Sequence, residues 1–214
     1  MMEELDVLKK AWKNQDASYN QVSENDIYAM LHRKSSSIVK WILIVSIIEF
    51  VFWNIISFAF SDEKYQNKLE SYGIEDIMFI VNVINYVIVV GFIYVFYKNY
   101  RSISTLDSTS KLMQSIVNTR KTVQYYIWYN LFIVTLTIII SIVMMFAHNP
   151  DIISMMNEQI SEGHESIFIF VCVLVSMAFI ALVIGVFWLF YRLIYGILLK
   201  KLFANYKELK KIEV

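Results

Sequence analysis

Apolar residues fall along the chain in four long runs, from 38 to 60, 77 to 97, 126 to 147 and 167 to 191, separated by polar stretches. A hydrocarbon layer about 30 Å thick requires roughly 20 apolar residues in helix, because no water is present there to satisfy backbone amides and carbonyls. Each run meets that length. None alternates with period two, so barrel strands are a poor reading. The pattern predicts an all-α fold, a four-transmembrane-helix bundle.

Between the runs the apolar residues keep helical spacing. Ser23-Glu24-Asn25-Asp26 resembles a capping box, and Ile27, Met30, Leu31 and Ile38 follow it on one face, predicting a helix that starts near residue 24 and enters the first span. Ser104-Thr105-Leu106-Asp107 gives a similar signal ahead of Leu106, Met113, Ile116, Val117 and Val123. After the fourth run, Leu198, Leu199, Leu202, Phe203, Tyr206 and Leu209 carry the pattern on, with lysines between them. Each extension has an apolar face to bury, so the bundle is expected to continue past the membrane as a helical stem. Residues 23–214 therefore read as one bundle, preceded by a separate N-terminal segment, 1–22. In that segment Leu5, Leu8 and Trp12 share one stripe of a short amphipathic helix, which packs on its own protein, lies on the membrane surface or docks a partner. Asn149-Pro150-Asp151 predicts one more short helix, with Ile152, Ile153, Met156 and Ile160 on one side and Gly163 as its stop.

Composition agrees with a membrane protein. The 214 residues are 57% hydrophobic, 16% aromatic and only 18% charged, with mean hydropathy +0.51, against about 45–50% apolar and about 25% charged for soluble chains. Five Gly and one Pro exclude collagenous and low-complexity folds, and a lone Cys172 excludes an intrachain disulfide or a Cys-rich zinc site.

Net charge is zero, yet the charges are sorted. Of 19 basic residues, 17 flank the runs on one side, and only Lys64 and Lys68 fall in the loops of the other. Those other loops hold Asp62, Glu63, Glu70, Glu75 and Asp76, then Asp151, Glu158, Glu162 and Glu165. By the positive-inside rule both termini and the middle loop are cytoplasmic. Trp41, Tyr94, Tyr97, Tyr125, Tyr126, Trp128, Tyr129, Trp188 and Tyr191 collect at the same ends and are expected at headgroup level.

Glu49 stands out chemically. It lies eleven positions into a 23-residue run, where an ionised carboxylate costs several kcal/mol unless it is protonated or paired. No Lys or Arg lies at matching depth, so a neutral, hydrogen-bonding Glu49 is expected. Opposite chain directions in the first two spans put Asn54 level with Asn82, and Glu49 nearer Asn85 and Tyr86. This polar cluster serves as glue fixing helix register, as a proton or ion relay, or as a small-ligand pocket. Ala181 and Gly185 have the small-xxx-small spacing that permits close helix approach. His148 and His164 flank the second outer loop at a spacing that matches no metal motif, and no metal or cofactor site is read. Phosphate loops, HExxH and GxSxG are absent, so standard hydrolytic chemistry has no foothold. Topology and anionic lipid account for the basic residues better than nucleic acid does.

Leu5-Asp6-Val7-Leu8-Lys9-Lys10-Ala11-Trp12-Lys13, Ile27-Tyr28-Ala29-Met30-Leu31, Lys34-Ser35-Ser36-Ser37-Ile38-Val39-Lys40-Trp41 and Glu49-Phe50-Val51-Phe52-Trp53 together resemble a group of small four-span membrane proteins of Bacteroidetes-type bacteria. Members are sometimes labelled beta-carotene 15,15'-monooxygenase. Carotenoid cleavage oxygenases hold iron with four histidines, whereas this chain has three, His32, His148 and His164, none within a span.

The expected function is a non-enzymatic component that docks a cytoplasmic or membrane partner, regulatory in kind. The alternative is a small transporter or channel subunit centred on Glu49, and a weaker third is a membrane enzyme acting on lipid or carotenoid. The lipid bilayer is the one partner read from composition; no oligomeric state is specified.

Overall fold

In the computed structural model, residues 23–61, 67, 71, 73, 75–104 and 108–212 are described, and these form five helices and no strand. They are α1 (Glu24–Phe60), α2 (Glu75–Ser104), α3 (Thr109–His148), α4 (Pro150–Ser161) and α5 (Glu165–Ile212). All but α4 are long and apolar enough to cross a membrane. α5, at 48 residues and 1.5 Å per residue, runs about 72 Å, more than twice the thickness of a hydrocarbon layer.

Local chemistry sets the helix starts. The Ser23 hydroxyl accepts from the Asp26 amide at 3.2 Å, and the Asp26 carboxylate accepts from the Ser23 amide at 3.3 Å, completing the expected capping box. From there α1 runs unbroken through the amphipathic stretch and the whole apolar run. α3 starts at Thr109 with Ser108 as its N-cap, later than Ser104 suggested, and residues 105–107 lie outside the described set. Asn149 caps α4 by accepting from the Asp151 amide at 3.0 Å, with Pro150 in the first turn, where a missing N–H costs nothing. Gly163 follows with φ +77°, a left-handed backbone that a side chain opposes.

The four long helices close a ring: α1 packs on α2 and α5, and α3 packs on the same two, while α4 lies across α3 and α5. Their buried residues repeat at steps of three and four. Leu31, Ser35, Val39, Ile42, Ser46 and Glu49 face inward on α1, and Leu112, Ile116, Thr119, Val123 and Tyr126 do so on α3. α2 contributes Val89, Phe96 and Ile103, and α5 contributes Tyr195, Leu202 and Leu209, each set seven residues apart. This is the 3.5-residue seam of coiled-coil packing.

The seam is tight at only one end. Toward the end where the described chain begins and finishes, here the stem end, these side chains are sealed from the surroundings. Toward the loop end the helices part, and α5 has no fully buried residue before Tyr191. Gly185 illustrates the difference. A Cβ there would meet nothing within 4 Å, and Ala181 is exposed, so this small-residue pair makes no close helix contact within the described bundle. Stem-end charges such as Lys34, Lys111, Lys200 and Lys207 lie on the outside of the seam.

Candidate functional site

Where the tight seam gives way to the open half, three tyrosines meet one carboxyl. Glu49, 6% exposed, is the last buried position of α1. Tyr191 donates its hydroxyl to Oε1 at 2.6 Å and Tyr195 donates to Oε2 at 2.9 Å. These two tyrosines are four apart on α5 and so share a face, with ring centroids 6.1 Å apart. Tyr126 of α3 packs edge-on against both, at 6.4 and 5.9 Å. Beneath this floor, Ile42, Phe96 and Val123 fill the seam completely.

Above it, toward the loop end, lies a cavity of about 270 Å³ that all five residues of the expected cluster line: Glu49, Asn54, Asn82, Asn85 and Tyr86. The pairing inside it differs from depth matching. Asn54 accepts from the Tyr86 hydroxyl at 2.9 Å, and Asn85 accepts at 3.0 Å from Tyr129 of α3, a residue expected in the headgroup belt that is half-buried here. Glu49 turns away from α2 to α5. Depth matching compared only the first two spans, whereas α1 has a second neighbour in α5, and a tyrosine side chain is long enough to deliver its hydroxyl across the seam. Asn54 and Asn130 also donate to the carbonyls of Phe50 and Tyr126, at 2.7 and 2.8 Å.

Tyr126, Tyr191 and Tyr195 are the residues that sequence reasoning missed. Tyr126 and Tyr191 were expected in a headgroup belt, yet they are 1% and 2% exposed. Trp41, Tyr94, Tyr97, Tyr125, Trp128 and Trp188 do face outward. The signal that separates the two groups is heptad phase: Tyr126 continues the series 112, 116, 119, 123, and Tyr191 and Tyr195 precede Leu202 and Leu209 on one face.

Further polar layers stitch the stem. The Asn205 amide donates to the Ser35 hydroxyl at 3.1 Å, and His32 Nε2 stands 2.6 Å from the Ile103 carbonyl, a contact that requires the proton on that nitrogen. The guanidinium of Arg120 lies 4.7 Å from the Phe203 ring centre, tying α3 to α5. No group of three His, Cys, Asp or Glu side chains is placed to hold a metal among the described residues. His164 Nδ1 is 3.8 Å from a Glu162 oxygen beside the end of α4. Leu5, Leu8 and Trp12 lie outside the described residues.

Residues 25–214 match the model of a family described as a domain of unknown function, DUF8845. The chain belongs to that family. No curated protein and no solved structure matches it. The DUF8845 region takes in the cavity, its tyrosine floor and the whole described stem, so Glu49, Tyr126, Tyr191 and Tyr195 all lie within it.

Proposed function

We propose that this protein is a multi-pass component of the bacterial cytoplasmic membrane, with both chain ends in the cytosol, that acts as a non-enzymatic regulator. The cavity at membrane depth is its sensing end, and the stem with the N-terminal segment is its output end, where a partner docks. The observation that carries this reading is continuity. α1 and α5 join Glu49 to Tyr191 and Tyr195 at one level, and the same two helices join Ser35 to Asn205 fourteen residues, two heptads, closer to the stem end. A change in how Glu49 is bonded therefore acts on a rigid pair of rods whose far ends carry the docking surface.

Sorted charges and the outward-facing aromatics support the orientation, and the unbroken apolar helices support the membrane. Photo-crosslinking in intact cells followed by affinity purification of the full chain tests the output. A specific partner is expected, recovered less well after Trp12→Ala and in altered yield after Glu49→Gln; recovery of this chain alone, indifferent to both changes, overturns the proposal.

A transporter centred on Glu49, Asn54, Asn82 and Asn85 is the second reading, and the cavity is the observation that favours it. It requires a path onward, and the sealed seam under the tyrosine floor argues for binding over passage. Proton or solute flux in liposomes that Glu49→Gln abolishes would select the transporter instead.

A further inference from the structure

Glu49 has two hydroxyl donors and no countercharge. Among the described residues no Lys, Arg or His nitrogen lies within ion-pairing distance of its carboxyl; the groups that face it are Tyr191 and Tyr195 from α5 and Tyr126 from α3, all uncharged phenols. An acidic group held at membrane depth ordinarily has a cationic partner or a proton. Among the described residues no such cation is supplied, so the proton is what the carboxyl carries alone, while the cavity beside it has space for a cation.

The walls specify the kind of cation. Phe50, Trp53, Tyr86, Tyr126, Phe187 and Tyr191 line the cavity, with Trp53 stacked on Phe187 at 5.4 Å and Phe50 edge-on to Tyr86 at 5.9 Å. Aromatic faces carry negative quadrupole charge and attract organic ammonium groups. The remaining polar lining offers acceptors. Asn130 is engaged with Tyr126, whereas Asn82 lines the cavity with no hydrogen bond among the described residues. An anion would find no cationic side chain in this lining, and a purely apolar guest would leave its polar groups unsatisfied. A volume of about 270 Å³, against about 30 Å³ for a liquid water molecule, accommodates a short aliphatic amine with several waters.

We propose that the cavity binds a small primary amine as its ammonium: the amine takes up the proton that the Glu49 carboxyl holds when the cavity is empty, leaving Glu49 as its countercharge, with the aromatic walls as its enclosure and the Asn82 carbonyl as an acceptor for its N–H bonds. This rests on the reading of the cavity as the sensing site and names the chemistry sensed. An ammonium of this kind arrives either as a soluble amine or as the headgroup of a lipid.

The test is calorimetric titration of the full chain in phosphatidylglycerol nanodiscs, with empty nanodiscs subtracted, using n-butylammonium chloride and its neutral counterpart 1-pentanol. Butylammonium is expected to bind saturably and at least tenfold more tightly than pentanol. Glu49→Gln removes that preference by weakening butylammonium tenfold or more and leaving pentanol unchanged. Trp53→Leu, which keeps the carboxyl and its hydroxyl donors, weakens butylammonium several-fold and guards against a folding defect in the first variant. Equal binding of the two probes, indifferent to Glu49→Gln, overturns the ammonium assignment while the cavity survives as a ligand site. Binding of neither probe to protein with intact helical circular dichroism overturns both. Repeating the titration with phosphatidylethanolamine in the nanodiscs separates the sources, since a weakened apparent affinity assigns the site to the lipid headgroup and an unshifted one to the soluble amine; each supports the proposal.

Discussion

Two phenolic hydroxyls converge on the two oxygens of Glu49, so each oxygen's environment depends on one donor. Removing the Tyr195 hydroxyl leaves Oε2 with less hydrogen bonding in a buried site, and Tyr195→Phe is expected to cost about 1 kcal/mol, at the upper part of the range for interhelical bonds in membranes. Tyr191→Phe has a similar cost, and the double variant is expected to cost more than both together, because either hydroxyl alone still serves the carboxyl and its loss leaves the group without a donor from α5. Glu49→Gln retains one oxygen and is expected to be milder than Glu49→Leu, which orphans both hydroxyls. Thermal unfolding of the variants in one detergent checks that order. Glu49 itself was legible in the sequence, since a single carboxyl in the middle of an apolar run is costly enough to draw notice wherever it occurs. Its partners were not, because a tyrosine near the end of a span satisfies the rule for headgroup aromatics equally well, and only the phase of a neighbouring helix shows which way the ring points.

At the scale of the helices, three boundaries were readable and one was not, since Ser104 closes α2 and α3 begins only at Thr109, where Ser108 makes no side-chain cap bond. Ser23, Asn149 and Gly163 act through contacts within four residues, so their role is encoded next to them in the chain. Contacts between helices depend on where one rod crosses another, which is why the spacing of Ala181 and Gly185 did not reveal that α5 makes no close approach there within the described bundle. The two glycines Gly163 and Gly185 should accordingly respond in opposite directions to alanine. Gly163 has φ +77°, so Gly163→Ala is expected to destabilise by about 1 kcal/mol. Gly185 sits in a regular helix with open space at its Cβ position, so Gly185→Ala is expected to stabilise by about 0.5–1 kcal/mol. Differential scanning fluorimetry of the pair against the parent chain resolves the two signs.

For the molecule as a whole, sidedness governs the proposed function. In a Cys172→Ser background, Lys111→Cys is expected to react with a membrane-impermeant maleimide only after the cytoplasmic face is opened, and Glu158→Cys in intact spheroplasts. External labelling at position 111 would invert the arrangement and put the stem on the wrong side for a cytosolic partner. The count of long apolar helices was legible from run length alone, because the bilayer imposes that length on any helix that crosses it. The uneven tightness along the bundle was not. Apolar residues facing lipid and apolar residues facing other helices look alike in a sequence, and in this chain both occupy the same runs.

That unevenness makes the surrounding hydrocarbon a building material. Between α3 and α5 the parted helices leave two clefts, of about 470 and 370 Å³, walled by Ile138, Met145, Phe146, Phe168, Val175 and Phe179. In a bilayer, fatty-acyl tails are expected to fill such gaps, putting lipid at this end of the molecule where other proteins have side chains. Its melting temperature should therefore track tail chemistry, rising in branched or unsaturated tails that conform to the crevices and falling in stiff saturated ones, while the stem, packed by its own heptads, stays indifferent.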